Sequence, residues 1–561
     1  MTEAADPITI ALTGHLPFHL VLAAILTWPT AMGLLGLYTR AVHRSMRTSA
    51  SSSTSAMRVH PVETTVHEGR AGEAAPQALF YDLPAGTMAR EAETLLSQLI
   101  ARPRNAAIAY ALGGVAYGLI MAAAQLLADA LEFRPIRFLF LFWVFVWPVV
   151  LTVGVVAAVT RFATTALVAS YFAGLLALGA VSIPFNASLT WSALFLSWAL
   201  NDLPPTILLA MCLSRRVRAV GPLVLIFILL ALIGSDIAVS IAGSDKRYIR
   251  AILTLTEPLG LGGTSTFAAI LMFGFLMFAV MGWIALAWIR RQYQAKRMSD
   301  ESVTIDAIWI LFAIAHSVNL VFGHPLWALA GLAAFAAYKA CVHVGLKWAS
   351  GGADLTKGNP ALLVLRSFSI GRDGERLFDV VDTIWRRVGT IDMIAGIDLA
   401  HRTVEPHEFL DFISGKLSRR FIDGSAVAEQ RLRERDTRPD RDRRFRVNDF
   451  FCYDDTWKMV LSRLVGGSNA VMMDLRGFSR QNAGCVFELK ELARMVPLAR
   501  VVFVVDKRTD EKLLAETLGE CKAGVYRLDS ITGRHVRQLM RSLASAAAPM
   551  EATTSLREFT C

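Results

Sequence analysis

Nine apolar runs of about 20 residues each lie between Leu16 and Leu346, and no other feature limits the fold so strongly. A hydrocarbon layer about 30 Å thick is crossed by about 20 helical residues. Inside it every backbone N–H and C=O must be satisfied within the segment, which leaves the α-helix. The runs are Leu16 to Leu37, Ala106 to Leu127, Phe138 to Thr160, Phe162 to Val181, Ser192 to Leu213, Val220 to Ala242, Ser265 to Ile289, Ile305 to Val321 and Leu326 to Leu346. The fifth is interrupted by Asn201-Asp202-Leu203-Pro204-Pro205, and the eighth is short and carries His316 and Asn319. The basic flank of the first, Arg40 to Arg47, follows it rather than preceding it, so this run reads as a retained anchor and not a secretory leader.

Lys and Arg set the orientation, because short cytoplasmic loops keep an excess of them. With the N-terminus outside, the inner loops hold Arg40, Arg44, Arg47, Arg58, Arg70, Arg90, Arg102, Arg104, Arg161, Arg215, Arg216, Arg218, Arg290, Arg291, Lys296 and Arg297, against Arg134, Arg137, Lys246, Arg247 and Arg250 outside. An odd number of spans then leaves the C-terminal region in the cytoplasm. The net charge of +10 is spread over many such loops, so the lipid bilayer with its anionic headgroups is the expected partner, and no nucleic-acid motif is present. The six cysteines form no C-x-x-C pair and have no His at metal spacing, which argues against a metal site and against a disulfide framework.

The domain plan that follows is a first span over 1–37, a cytoplasmic linker over 38–105, a membrane helix bundle over 106–348, a glycine-rich hinge over 349–360, an α/β domain over 361–545 and a tail over 546–561. Within the linker, Met88, Ala92, Leu95, Leu96 and Leu99 recur at helical spacing and predict an amphipathic helix.

From Ala361 onward short β-rich runs alternate with amphipathic segments. Strands are expected at Leu362 to Leu365, Ile391 to Ala395, Phe445 to Tyr453, Ala470 to Leu475, Val501 to Val505 and Gly524 to Leu528. Helices are expected at Gly374 to Val388, Pro406 to Phe421, Asp455 to Leu464, Cys485 to Met495, Asp510 to Leu518 and Gly533 to Ala544. Such alternation builds a parallel sheet covered by helices on both faces, and ligands of such sheets bind at the carboxyl ends of the strands. Asp474 and Arg476 sit at one such end and Asp506 at the next, as substrate contacts or as loop-fixing ion pairs. The Arg-rich stretch Arg431 to Arg446 alternates with acids, so its field largely cancels and it reads as a solvated loop.

Ionisable groups inside spans are costly and mark bundle interiors or water-filled paths. Asp202, Asp236, His316 and Lys339 are the candidates, with Lys339 also able to snorkel to an interface. An acid in a helix broken at Pro204-Pro205 is a transporter's signature.

In Ser468 to Ala493 an apolar strand ends at Asp474, a small polar loop follows, and a helix opens on Cys485-Val486-Phe487-Glu488-Leu489. This segment resembles the TIR domain family, in which a strand leads into a helix of the form S-x-W-C-x-x-E-L; Gly484 stands where that pattern has Trp. Leu363 to Phe368 resembles the family's first strand and following loop. The C-terminal region is also similar to the TIR-like tails of bacterial multi-pass membrane proteins. The resemblance covers Ala361 to Leu528. It implies a flavodoxin-like or TIR-like parallel sheet in a bacterial inner-membrane signalling or effector protein. Glu488 would be the catalytic residue, with NAD as the substrate cleaved rather than a bound cofactor, and Arg366, Ser367 and Phe368 would frame the nucleotide pocket. A carboxylate there would stabilise an oxocarbenium-like state, whereas a Glu in a first helical turn is equally a partner for the helix dipole. Two other readings stay open: a non-catalytic TIR-like module acting by self-association, and a transporter or channel with a regulatory C-terminal domain.

Overall fold

The structure, a computed structural model, describes residues 16–53, 80–84, 88–157, 160–185, 189–212, 217, 220–260, 262–321, 324–349, 358–366, 371–395, 406–415, 421–452, 456–519 and 521–548. The chain divides into two compact units: Met1–Tyr38 with Asn105–Gly351 and Val404–Ile413, and Thr39–Arg104 with Gly352–Thr403 and Ser414–Cys561.

The first unit is helical. Its helices are α1 (Leu16–Ser53, counted here as far as Tyr38), α2 (Arg90–Ala128, counted here from Asn105), α3 (Pro135–Phe145), α4 (Trp147–Val156), α5 (Arg161–Ser182), α6 (Trp191–Cys212), α7 (Gly221–Ser244), α8 (Lys246–Thr256), α9 (Gly263–Gln294), α10 (Asp300–Val321) and α11 (Ala328–Ala349); the rest of α1 and α2 belongs to the second unit. Among the described residues, eight helical stretches are long and apolar enough to cross a membrane, α3 and α4 together forming one of them. They coincide with the second to ninth runs of the sequence. The first run lies on α1, whose side chains are described only in part.

Two expectations for the helices change. The amphipathic segment and the second run are one helix, α2, which continues through Pro103. The fifth run is not broken: α6 continues through Pro204 and Pro205. Nearby, the Thr206 hydroxyl donates to the Asp202 carbonyl at 2.5 Å and accepts from Trp147 Nε1 at 2.7 Å, which ties this proline-rich stretch to α4.

The second unit is built on eight parallel strands, β1 (Phe80–Asp82), β2 (Ala361–Arg366), β3 (Thr390–Ala395), β4 (Phe421–Ile422), β5 (Val447–Cys452), β6 (Ala470–Asp474), β7 (Val501–Val505) and β8 (Ala523–Arg527), in the order β1-β8-β7-β6-β2-β3-β5-β4. Its helices are α12 (Gly371–Trp385), α14 (Ser425–Arg433), α15 (Trp457–Gly467), α16 (Ala483–Met495), α17 (Glu511–Leu518) and α18 (Gly533–Ala547). β6 and β7 are buried at every position, as central strands covered on both faces must be. Leu363, Leu365, Val471, Met473, Val501 and Phe503 share a core with α15, α16 and α17. The alternate positions, Leu362, Val364, Met472 and Val502, are buried too; α18 packs on β6 and β7, and α12 on β3.

Here also the structure departs from expectation. The linker contributes β1, paired with Ala523 to Val525 at a sheet edge; three residues are too few to show strand periodicity. The helix expected from Pro406 to Phe421 is α13, Pro406–Ile413, and it belongs to the helical unit, where Asp411 pairs with Arg290 at 2.8 Å. Gly415, at φ 69°, follows in the left-handed region, where an α-helix cannot continue. Cys521 is disulfide-bonded, against the expectation of no disulfide, while among the described residues Cys341, Cys452 and Cys485 are free thiols.

The Arg-rich stretch is the largest correction. It forms α14 and then a tightly tied loop in which Asp440, Asp442, Arg444 and Arg446 are buried. Arg446 holds Asp440 with both Nε (2.9 Å) and Nη2 (2.7 Å), and Arg435 reaches Asp392 on β3 at 3.0 Å. The acids lie opposite specific guanidinium groups, so charge cancellation here happens by contact in the interior rather than by averaging in solvent. These groups surround the starts of β3 and β5, the amino edge of the sheet.

Candidate functional site

The carboxyl edge of the sheet is where sequence reasoning places a ligand site. The chain runs outward from β2 to β3, forms the edge strand β4, fills the place between them with β5, then crosses to the other side of β2 and proceeds through β6, β7 and β8. The strand order therefore reverses between β2 and β6. Arg366 and Asp474 are register partners there, the last residues of their strands. Diverging connections leave a crevice at such a point. Ser367, Phe368 and the side chain of Arg366 lie outside the described residues.

Asp474 and Arg476 form a buried bidentate pair, with Nε to Oδ1 at 2.8 Å and Nη2 to Oδ2 at 2.7 Å. The turn needs Gly477, which sits at φ 70° and donates its N–H to Asp506 at 3.0 Å. Asp506 also binds Arg508 through Oδ2 at 2.8 Å. Burial would raise the pKa of Asp506, but bonds from the Arg508 side chain and from the N–H groups of Gly477 and Arg508 outweigh it and hold the pKa below the usual carboxylate range. Thr509 donates to the Leu475 carbonyl at 3.0 Å and so ties the loop after β7 to the loop after β6. These side chains build a rigid rim.

Glu488 is not in the first turn of its helix. α16 begins at Ala483, so Glu488 falls in the second turn, beyond the reach of the helix-terminus stabilisation expected for it. It is 5% exposed, on the side of α16 that carries the core residues Cys485, Leu489 and Leu492. Its Oε2 has no hydrogen-bond partner. Burial pushes its pKa up to about 8, so at neutral pH this group carries a proton and can act as an acid.

The helical unit brings together two of the intramembrane candidates. His316 Nε2 lies 3.1 Å from Asp202 Oδ1, and His316 Nδ1 lies 2.9 Å from the Tyr117 hydroxyl. All three side chains are fully buried, and Phe145 and Phe312 pack against the imidazole. Lys339 is elsewhere, paired with Asp306 at 2.8 and 2.9 Å. Asp236 is half-buried on α7. Sequence reasoning missed Tyr117 and Asp306. A tyrosine in an apolar run carries no charge signal, and Asp306 opens the eighth run, where an acid reads as an interfacial residue.

A cavity of about 530 Å³ lies in the same unit, with Gln125, Asp129, Arg134 and Arg137 among its polar residues and Phe145 and Asn201 in its wall. Phe145 touches the His316 ring, and Asn201 precedes Asp202 in α6. Among the described residues no group of acids, histidines and cysteines could hold a metal ion. Comparison with protein families, with curated proteins and with solved structures finds no match to this chain.

Proposed function

We propose that this is a multi-pass membrane signalling or effector protein whose C-terminal sheet unit is TIR-like and binds a nucleotide at the crevice between β2 and β6. One observation carries the reading. The strands β3-β2-β6-β7-β8 repeat the 2-1-3-4-5 order of flavodoxin-like sheets, whose ligands sit where the order reverses, and that reversal lies beside Arg366 and Asp474. The excess of Lys and Arg beside alternate spans supports an orientation with the N-terminus outside and the sheet unit in the cytoplasm, and the TIR-like resemblance implies a bacterial inner membrane. Self-association of the unit is the competing use of the same fold.

The test is a thermal-shift titration of the purified full-length protein with NAD, ATP and GTP, coupled to chromatography of the nucleotide products. Binding by wild type that is lost in Arg366→Ala supports the reading. NAD breakdown abolished by Glu488→Gln makes the unit an enzyme. Absence of any shift, together with association at micromolar concentration, replaces nucleotide binding with self-association.

Transport is a second reading, and the buried Tyr117–His316–Asp202 chain favours it, because ionisable groups inside a bundle commonly line ion or proton paths. Proton flux in proteoliposomes that is lost in Asp202→Asn supports this; equal flux in the two proteins excludes a path through that residue.

A further inference from the structure

The first half of α2 and the last helix, α18, leave between them a groove of about 490 Å³ lined by Leu96, Ile100, Arg534, Arg537, Gln538 and Arg541. The four residues of α18 follow an i, i+3, i+4, i+7 spacing and so form one stripe. The rest of that helix holds Val536, Leu539, Met540 and Leu543 in the core, and α18 contains neither Asp nor Glu. Arg534 and Arg537 are exposed, and among the described residues neither has an acidic partner. The acids of α2, Glu91 and Glu93, sit in its first turn and do not line the groove. Arg534 and Arg537 thus give one rim of the groove a local positive field, which favours an anion.

The position of the groove says which anion. α2 is one continuous helix from Arg90 to Ala128 and carries a membrane-spanning stretch. The apolar part of the helix starts at Ala106. At 1.5 Å per residue, Ile100 precedes it by about 9 Å and Leu96 by about 15 Å, whereas the headgroup layer on each side of the hydrocarbon is roughly 5 to 8 Å deep. Ile100 is 48% exposed and gives the groove an apolar wall on the side toward the span. Guanidinium forks match phosphate oxygens in pairs.

We infer that this groove binds the phosphate headgroup of an anionic membrane lipid, held by Arg534 and Arg537 against Leu96 and Ile100. The same chemistry could be met by free phosphate, and the apolar wall and the distance along α2 favour the lipid.

The test uses the full chain purified in neutral detergent and follows thermal unfolding against added short-chain phosphatidylglycerol, phosphatidylcholine or inorganic phosphate. Wild type is stabilised by phosphatidylglycerol and not by the other two. Arg534→Gln and Arg537→Gln each weaken the apparent affinity about fivefold, the scale of one basic residue at an anionic surface. Arg433→Gln, an exposed arginine of α14, leaves it unchanged. The charge reversal Arg537→Glu gives a second reading of the same site should a neutral substitution disturb folding. Equal stabilisation by phosphatidylcholine, or phosphatidylglycerol affinity retained in both Arg537 variants, overturns the proposal. Inorganic phosphate acting as strongly as the lipid overturns its lipid source.

Discussion

Arg444 donates to Asp382 at 2.6 Å across 62 residues of sequence, and both side chains are almost entirely shielded from water. Arg386 shares the same carboxylate at 3.2 Å and donates from Nε to the Phe445 carbonyl at 2.6 Å. The end of α12 is thereby locked to the segment entering β5. Removing one member of such a cluster strands a charge in the interior, at a cost of about 3 to 5 kcal/mol. Arg444→Met should therefore lower the stability of the sheet unit by that amount in tryptophan-detected denaturant unfolding. Arg433→Ala, whose pair with Glu429 is exposed, should stay within about 0.5 kcal/mol of wild type. Similar losses for the two variants would show that Arg444 has no structural role.

This cluster also marks where sequence reading stops. Period and hydropathy exposed the spans and most of the strand-helix order, because each such signal is carried by neighbouring residues. The Arg431 to Arg446 stretch failed the same treatment. Alternating charge looks alike whether it faces water or specific partners, and the partners Asp382, Arg386 and Asp392 lie some 40 to 60 residues earlier in the chain. β1 was hidden for a related reason, since its pairing with β8 is set by a distant edge and not by its own three residues. At the candidate site, the reversal of strand order beside Asp474 depends on topology. Only the residue types at the strand ends were visible beforehand.

Glu488 gives a pH-dependent stability with a definite sign. Its pKa in the fold is about 8, raised by burial, against about 4.3 in an unfolded chain. Between those values the folded protein holds a proton that the unfolded chain has released, so this group's contribution is complete at the acid end and is lost as pH rises toward 8. The slope is at most about 1.4 kcal/mol per pH unit. Glu488→Gln, neutral at every pH, should flatten the fall in unfolding temperature between about pH 5 and about pH 8. Parallel profiles for the two proteins would place the glutamate in solvent.

The contact between α7 and α9 depends on glycine. A Cβ at Gly274 would collide with the Gly234 carbonyl oxygen and lie 2.6 Å from Ala238 Cβ, and backbone cannot move aside as a flexible side chain can. Close approach of this kind is how membrane helices gain packing energy when no hydrophobic force acts between them. Gly274→Val should separate the two helices and cost about 1 to 3 kcal/mol, the range for overpacking a well-filled contact. Gly243→Ala on α7, where nothing lies within 4 Å, should be tolerated. Thermal unfolding of the two variants in detergent makes the comparison; equal behaviour would mean that the α7–α9 contact can open without cost.

The Tyr117–His316–Asp202 chain joins α2, α10 and α6, and its energetics should be strongly non-additive. His316→Leu leaves the Asp202 carboxyl without its Oδ1 contact, and Oδ2 already has no hydrogen-bond partner. A buried polar group abandoned in this way costs about 1 to 3 kcal/mol, and more if charged. Asp202→Leu alone abandons the imidazole Nε2 instead. Replacing both removes the unmet polar groups together, and apolar substitution of both partners of a buried bond can be nearly neutral. The double variant should therefore be more stable than the sum of the single losses predicts, by about 1 to 3 kcal/mol in a double-mutant cycle on thermal unfolding. Tyr117→Phe, which removes the bond to Nδ1 and keeps the ring beside Trp309, should cost less than His316→Leu. Strict additivity would mean that the histidine and aspartate are neighbours without being energetically coupled. It would also remove the reason to regard them as one proton-carrying unit.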